Sequence, residues 1–424
     1  GEYPDRIKNK LLSEISRYDS SSEMSPDAGI IRNYIEYLLN VPWYKETKDE
    51  KDLLKIEKKL NSTHYGMVDA KNRIIEYIAV KSVSPDINSP IICLVGPPGV
   101  GKTTFAESIS YAVNRNFVKI SLGGMSDSSE LVGHRRAYIG SNPGKIITSL
   151  IKCNSKNPVL LLDEVDKLKK DYKGDPASTL LDILDVSQNK RFTDNYIDEE
   201  VDLSKVLFIL TANDITSIPV ALLDRLEIIE LSSYTEIEKV YITKDHLIEK
   251  QIELNGLTRK QVSFTDDAIT YIIRHYTREA GIRDLERKIA SCLRKVAVAI
   301  VKEPTIKSIK IDVDKVHEYL GTPIFEDSKK EVVPQVGVIT GLAYTQYGGD
   351  ILPIEVNYFK GKGALVLTGN LGDVMKESAS IALDYVKSNA AHFGIDSKLF
   401  EENDIHIHVP EGAVPKDGPS AGVA

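Results

Sequence analysis

The chain has 424 residues, which at about 150 residues per domain allows roughly three domains. Hydrophobic residues make up 42% and charged residues 27%, the composition of a folded globular chain, and this excludes wholesale disorder. With 54 basic against 62 acidic residues the net charge is −8, which does not support nucleic acid as the main partner. No apolar run approaches the ~18 residues of a membrane span. The polar opening stretch has the character of neither a signal or transit peptide nor an anchor. Three scattered cysteines, Cys93, Cys153 and Cys292, include no CxxC pair and fit a reducing, cytoplasmic compartment.

Residues 1–62 read as helices. The stretch 27–40 carries Ile30, Ile31, Tyr34, Ile35, Leu38 and Leu39 at helical spacing, and 49–60 reads as a second, charged helix; the region is expected to be an amphipathic arm. From 63 to 235 short apolar runs at 91–95, 117–120, 159–162, 206–210 and 227–231 alternate with helical stretches, which predicts a parallel sheet covered on both faces. Residues 236–325 turn mostly helical, at 236–254, 265–275 and 282–301, with a short strand at 308–311. Beyond a charged linker at 326–330, short apolar runs at 336–339, 352–356 and 364–367, a helix at 375–388 and a strand at 405–409 predict an α+β domain over 326–424. The chain opens without an initiator Met and stops just past the turn-rich 415–420, so a piece of a longer protein is expected.

The strongest motif is Gly96-Pro97-Pro98-Gly99-Val100-Gly101-Lys102-Thr103, followed by Thr104. It fits GxxxxGK[ST] and lies between an apolar strand and a helix. Glycines there let backbone N–H groups curl round phosphates, and the helix N-terminus adds partial positive charge. Lys102 is expected on the β/γ-phosphates of ATP, and Thr103 on Mg²⁺. A second strand ends in Asp163-Glu164. There Asp163 is expected to hold Mg²⁺ through water and Glu164 to polarise the attacking water.

With these motifs the chain resembles the AAA+ ATPases. The resemblance implies that Asn213 senses the γ-phosphate, that Arg225 is an arginine finger offered to a neighbouring subunit, and that Arg283 is a second sensor on a helical lid. An arginine finger in trans makes hydrolysis depend on assembly, so a ring is implied.

Two further segments narrow the resemblance. In Gly133-His134-Arg135-Arg136-Ala137-Tyr138-Ile139-Gly140, the pair Tyr138 and Ile139 suits a loop that grips unfolded chains by their apolar side chains. The run Val409-Pro410-Glu411-Gly412-Ala413-Val414-Pro415-Lys416-Asp417-Gly418-Pro419-Ser420-Ala421-Gly422 then resembles the Lon proteases. So do His64-Tyr65-Gly66-Met67, Gly123-Gly124-Met125, Gly174-Asp175-Pro176-Ala177-Ser178 and 369–379. Small departures are Tyr344, where the family has Trp, and Val186-Ser187, where it has Pro-Glu.

This resemblance implies an α/β architecture in four parts: a helical arm (1–62), an AAA+ nucleotide-binding domain (63–235), a helical lid (236–325) and a partial serine-protease domain (326–424). It implies a homohexamer that degrades unfolded protein substrates, with Ser420 as the nucleophile of a Ser–Lys dyad. It also implies that His64, Tyr65, Met67, Tyr234 and Ile242 line the adenine. The family's catalytic Lys lies well downstream of the Ser, and Lys416 belongs to the turn. A Ser–His reading through His406 or His408 is the lesser alternative for the base. The rival functions are an AAA+ unfoldase without peptidase activity and, less favoured by the charge, a DNA-acting motor.

Overall fold

The computed structural model describes residues 3–21, 26–84, 90–136, 140–168, 175–325, 335–345 and 348–410. The chain divides into two compact units. One comprises Gly1–Lys250 with Ala280–Glu286, and the other Gln251–Glu279 with Arg287–Ala424.

The first unit opens with helices α1 (Asp5–Ser20) and α2 (Pro26–Asn40), then α3 (Leu53–Thr63) and α4 (Val68–Val83). Burial of Ile7 and Leu11 on α1, and of Ile31, Tyr34 and Leu38 on α2, follows the helical period. Ile7, Leu11, Tyr34 and Leu38 lie in the same buried core as Cys93, Leu160 and Leu210 of the central strands. The Tyr34 hydroxyl reaches into that core and donates to Ile197 O at 2.7 Å. The helix expected over 49–60 begins later, because Asp52 caps it by accepting from the Leu54 and Lys55 N–H groups. Asp49 instead pairs with Arg115 at 2.6 Å.

Next come β1 (Ile91–Val95), α5 (Lys102–Val113), β2 (Phe117–Ser121), the short α6 (Ser129–Val132), α7 (Lys145–Cys153), β3 (Val159–Asp163) and α8 (Pro176–Leu184). The small β4 (Phe192–Thr193) and β5 (Glu200–Val201) precede β6 (Leu207–Ala212), α9 (Val220–Leu223) and β7 (Leu226–Glu230). The strands form a parallel sheet in the order β2-β3-β6-β1-β7. All five residues of β1 are buried, as expected of a strand covered on both faces. The long helical stretch after the sheet holds α10 (Glu236–Ile242), a π-helical turn at Thr243–Leu247 and α11 (Ile248–Leu254). Thr235 and Glu238 start it with a reciprocal capping box.

In the second unit β8 (Val262–Phe264) pairs in parallel with β9 (Ile309–Ile311), among α12 (Asp266–Tyr276), α13 (Arg283–Lys302) and α14 (Val313–Leu320). A further sheet joins β10 (Val338–Thr345), β11 (Gly348–Lys360), β13 (Asn403–His408) and β12 (Leu365–Thr368) in that order, with α15 (Asp373–Ser388) and α16 (Lys398–Glu402) between β12 and β13. Ile354, Leu367 and Ile407 turn one face of this sheet towards Met375 of α15. The linker expected at 326–330 lies outside the described residues.

Leu38 is fully buried in the core that ties α2 to the sheet. Leu38→Ala should therefore lower unfolding stability by about 2–5 kcal/mol, as read from a denaturant midpoint, whereas the exposed Leu39→Ala should change it little.

Candidate nucleotide-binding site

Three neighbouring strands of the parallel sheet end side by side. β1 runs into the glycine-rich loop, β3 into Asp163-Glu164, and β6, which pairs with both, into Asn213. The carboxyl ends of adjacent parallel strands are where α/β sheets bind ligands, because the loops there leave a crevice rimmed by helix N-termini.

The loop is shaped for close approach of backbone. Gly99 and Gly101 have φ of 83° and 89°, and Gly101 is the N-cap of α5. Lys102 Nζ is held by Gly96 O at 2.5 Å, Pro97 O at 3.0 Å and Asn213 Oδ1 at 2.8 Å, so the lysine and the expected sensor residue already touch. Burial pushes the Lys102 ammonium below its ordinary value, the cost of keeping a cation in a partly desolvated crevice.

The acidic strand end is wired through Thr211, a residue that no motif singled out. Its side chain is fully buried on β6. The hydroxyl donates to Asp163 Oδ1 and accepts from the Glu164 N–H at 3.0 Å. Asp163 Oδ2 also pairs with Lys119 of β2 at 2.5 Å. Glu164 has φ of 62°, the left-handed region that a side chain other than glycine's rarely adopts, so its backbone is strained just past the end of β3. Its carboxylate accepts from Lys167 at 2.5 Å, and this hydrogen bond raises the Lys167 value. A Cβ on Gly123 would lie 2.4 Å from Glu164 Oε2, so a side chain there would shift that carboxylate. Asp166 completes the cluster: Oδ2 accepts from the Asn213 N–H at 3.1 Å, while Oδ1 is buried and has no hydrogen-bond partner among the described residues. The sequence signal for Thr211 was its place two residues before Asn213, the same-face spacing of a strand.

The loop also receives the segment carrying Arg283. Ile282 N–H donates to Gly99 O at 3.2 Å, and a Cβ on Gly281 would lie 2.1 Å from Gly99 C. Tyr234 fastens both sides, donating its hydroxyl to Val100 O at 2.8 Å and its N–H to Ala280 O at 3.0 Å. Burial raises the Tyr234 phenol well above its ordinary value, so it stays a donor. His64 bonds Thr104 and Ser108 of α5 at 3.2 and 2.9 Å. Desolvation, with Lys71 and His246 nearby, lowers its value to about 4, so the ring is neutral. Tyr65 stacks on Tyr241 with centroids 5.1 Å apart. Ile242 is buried, and Met67 starts α4 in the left-handed conformation.

Comparison with known proteins matches three family models in succession along the chain. Residues 92–234 match the ATPase family associated with various cellular activities, 253–309 the Lon protease AAA+ ATPase lid domain, and 310–424 the Lon protease (S16) C-terminal proteolytic domain. The chain is 53% identical over 421 residues to a Lon protease of Mycoplasma mycoides subsp. mycoides, covering 99% of this chain and 53% of the relative. It is 51% identical over 420 residues to Lon protease 1 of Bacillus subtilis, covering 99% of this chain and 54% of the relative. The chain belongs to the Lon family. It spans about half the length of the curated relatives it matches. Its ATPase portion makes it a nucleotide-binding protein.

Arg225 follows α9 and pairs with Asp185 Oδ2 at 3.0 Å, its side chain 43% exposed. Such an exposed pair is weak and can be exchanged for another partner. Tyr138, Ile139, Ser420 and Lys416 lie outside the described residues. His406 and His408 alternate on β13 and share one hydroxyl, that of Thr368 on β12, at 2.8 and 2.7 Å. A hydroxyl donates one proton, so one ring accepts from it and the other donates to it. No helix among the described residues is long and apolar enough to cross a membrane.

The Thr211 wiring yields one prediction. Thr211→Val keeps the shape of the side chain but removes both hydrogen bonds, so ATP hydrolysis should fall about 10- to 100-fold while nucleotide affinity changes far less. Steady-state phosphate release and a labelled-nucleotide titration separate the two. His64 yields another. The unfolded chain takes up the proton near the ordinary 6.5 and the folded chain only near about 4, so this residue's contribution is complete above about 6.5 and is lost as pH falls towards 4. The unfolding midpoint measured from pH 7 to pH 5 should drop more steeply in the wild type than in His64→Asn.

Proposed function

We propose that this chain carries the motor and part of the peptidase of an ATP-dependent serine endopeptidase, which unfolds, translocates and degrades protein substrates as a cytoplasmic homohexamer. The observation that carries the reading is the meeting of Lys102, Asn213, Asp163 and Glu164 at three adjacent strand ends, in a chain of the Lon family. In four parts, residues 1–62 form a helical lead-in, 63–235 and 236–325 the ATPase and its lid, and 326–424 part of the protease domain.

ATP is the nucleotide. Gly96, Pro97, Pro98, Gly99, Val100, Gly101 and Thr104 shape the loop whose N–H groups take the phosphates, and Lys102 moves from its own loop carbonyls to the β/γ-phosphate oxygens. The crevice fits Mg²⁺ through hard oxygen donors: Thr103, Asp163 and the buried Oδ1 of Asp166, which has no hydrogen-bond partner among the described residues. Among the described residues no cluster could cage a metal unaided, which suits an ion shared with phosphates and water. When bound, Mg²⁺ neutralises charge between the β- and γ-phosphates. Glu164 orients the attacking water and draws off its proton, Asn213 reads the γ-phosphate, and Arg283, seated on Gly99, carries that reading to the lid. Arg225 exchanges Asp185 for the nucleotide of the neighbouring subunit, which makes turnover depend on assembly. His64, Tyr65, Met67, Tyr234 and Ile242 surround the adenine side.

Hydrolysis moves the loop bearing Tyr138 and Ile139, which grips the substrate chain. Ser420 then attacks the scissile carbonyl, and the tetrahedral oxyanion is met by N–H groups of its Gly/Pro turn. The Thr368 hydroxyl occupies both β13 histidines, which supports a structural role for them rather than that of base.

The whole protein provides the test. Ser420→Ala should abolish cleavage of a fluorogenic peptide and leave ATP hydrolysis intact. Glu164→Gln should bind ATP but hydrolyse it at least about a hundredfold more slowly. Tyr138→Ala should hydrolyse ATP yet fail to degrade a folded substrate. Wild-type hydrolysis by Glu164→Gln would remove the acidic strand end from the mechanism.

A further inference from the structure

The second unit has a groove that the nucleotide chemistry does not use. About 780 Å³ in volume, it lies between the C-terminal half of α13, the turn before β9, and α14. α13 presents two stripes. Leu293 and Val296, with Ile289 and Cys292, are buried, whereas Lys295, Val298, Ala299 and Lys302 recur at i, i+3, i+4 and i+7 along the groove wall. Val298 is 52% exposed, a β-branched apolar side chain left in water at helical register with two lysines. Ile306 and Ile309 add half-buried apolar side chains to the lining, and Lys310 and Lys315 line it as well.

The charges do not cancel. Lys315 pairs with Glu318 at 2.6 Å, and among the described residues Glu318 is the only carboxylate lining the groove. Lys295, Lys302 and Lys310 have no ion-pair partner among the described residues. Three uncompensated cations in a partly apolar lining select a ligand that brings both negative charge and a hydrophobic side chain.

We propose that this groove docks an acidic segment of a protein substrate, its carboxylates on Lys295, Lys302 and Lys310 and an apolar side chain against Val298, Ile306 and Ile309. Nucleic acid fits the lining less well. Among the described lining residues there is no arginine to fork onto phosphate, and the one aromatic ring, Tyr319, is buried, with Lys315 Nζ 5.6 Å from its centroid, which leaves it poorly placed to stack a base. The proposal rests on the reading that the chain handles protein substrates. It is tested by binding alone, so its failure leaves the Tyr138 and Ser420 experiments untouched.

The probe is a short fluorescein-labelled peptide of glutamate and leucine, titrated by anisotropy with the 424-residue chain. The Lys295→Glu, Lys302→Glu, Lys310→Glu triple variant should bind it at least about tenfold more weakly, with an unchanged melting curve because all three side chains are exposed. Val298→Asp should weaken it in the same direction, and a glutamate–serine peptide should bind at least about tenfold more weakly than the leucine peptide. Absence of binding, or binding unchanged by the charge reversal, overturns the proposal. So does a serine peptide that binds as well as the leucine one, which would leave only bare charge attraction. A single-stranded oligonucleotide that displaces the peptide and binds more tightly would mark the groove as a nucleic-acid surface and overturn it as well.

Discussion

Parallel pairing of β1, β6 and β3 is the constraint on which the nucleotide site depends. Val95 lies level with Ala212, and Leu162 with Leu210, so the residues that follow each strand emerge at one edge of the sheet. A slip of one residue would turn every side chain to the opposite face, and three continuously apolar strands buried on both sides leave the alternating pattern too weak to prevent it by itself. The register is held by what lies at the ends. Thr211 bonds across to Asp163 and Glu164, and Asn213 to Lys102 on one side and Asp166 on the other. This polar wiring at the strand ends helps to lock the strands in register.

Close backbone contact does the rest, and it explains where glycine is needed. Gly99 and Gly281 meet with no room for a Cβ on the latter, and Gly96 lies so near Leu231 O that a Cβ would sit 2.3 Å from it. The Arg283 segment is therefore fastened to the phosphate loop by main chain, through the Ile282–Gly99 hydrogen bond, rather than by a long flexible side chain. The left-handed backbone of Glu164 is a second such device: the energy stored there is held by the Thr211 hydrogen bond and the space above Gly123.

Much of this was legible along the chain. The glycine loop, the acidic strand end and the strands β1, β2, β3, β6 and β7 each carry local signals, because phosphate binding needs contiguous residues and buried strands need contiguous apolar runs. Boundaries were less so. The helix expected from residue 49 starts only after Asp52, since Asp49 finds Arg115 sixty-six residues away, and a long-range ion pair leaves no trace in local periodicity. The strand expected at 352–356 extends over Gly348–Lys360, because two partners, β10 and β13, supply its hydrogen bonds.

By itself the sequence determined the residue types and spacings of the phosphate loop and acidic strand end, the alternation of strand and helix, and membership of the Lon family. Only the tertiary structure decided that the amphipathic α1 and α2 bury Ile7, Leu11, Tyr34 and Leu38 in the same core as the sheet. It alone placed Thr211, Lys119 and Lys167 on Asp163 and Glu164 and Asp166 on the Asn213 N–H, and it gave both β13 histidines to Thr368. The physical reason is the same in each case. A buried hydroxyl, an ion pair or an apolar face takes whichever partner the packing brings within about 3–4 Å, and that partner is set by strand order and register rather than by neighbours along the chain.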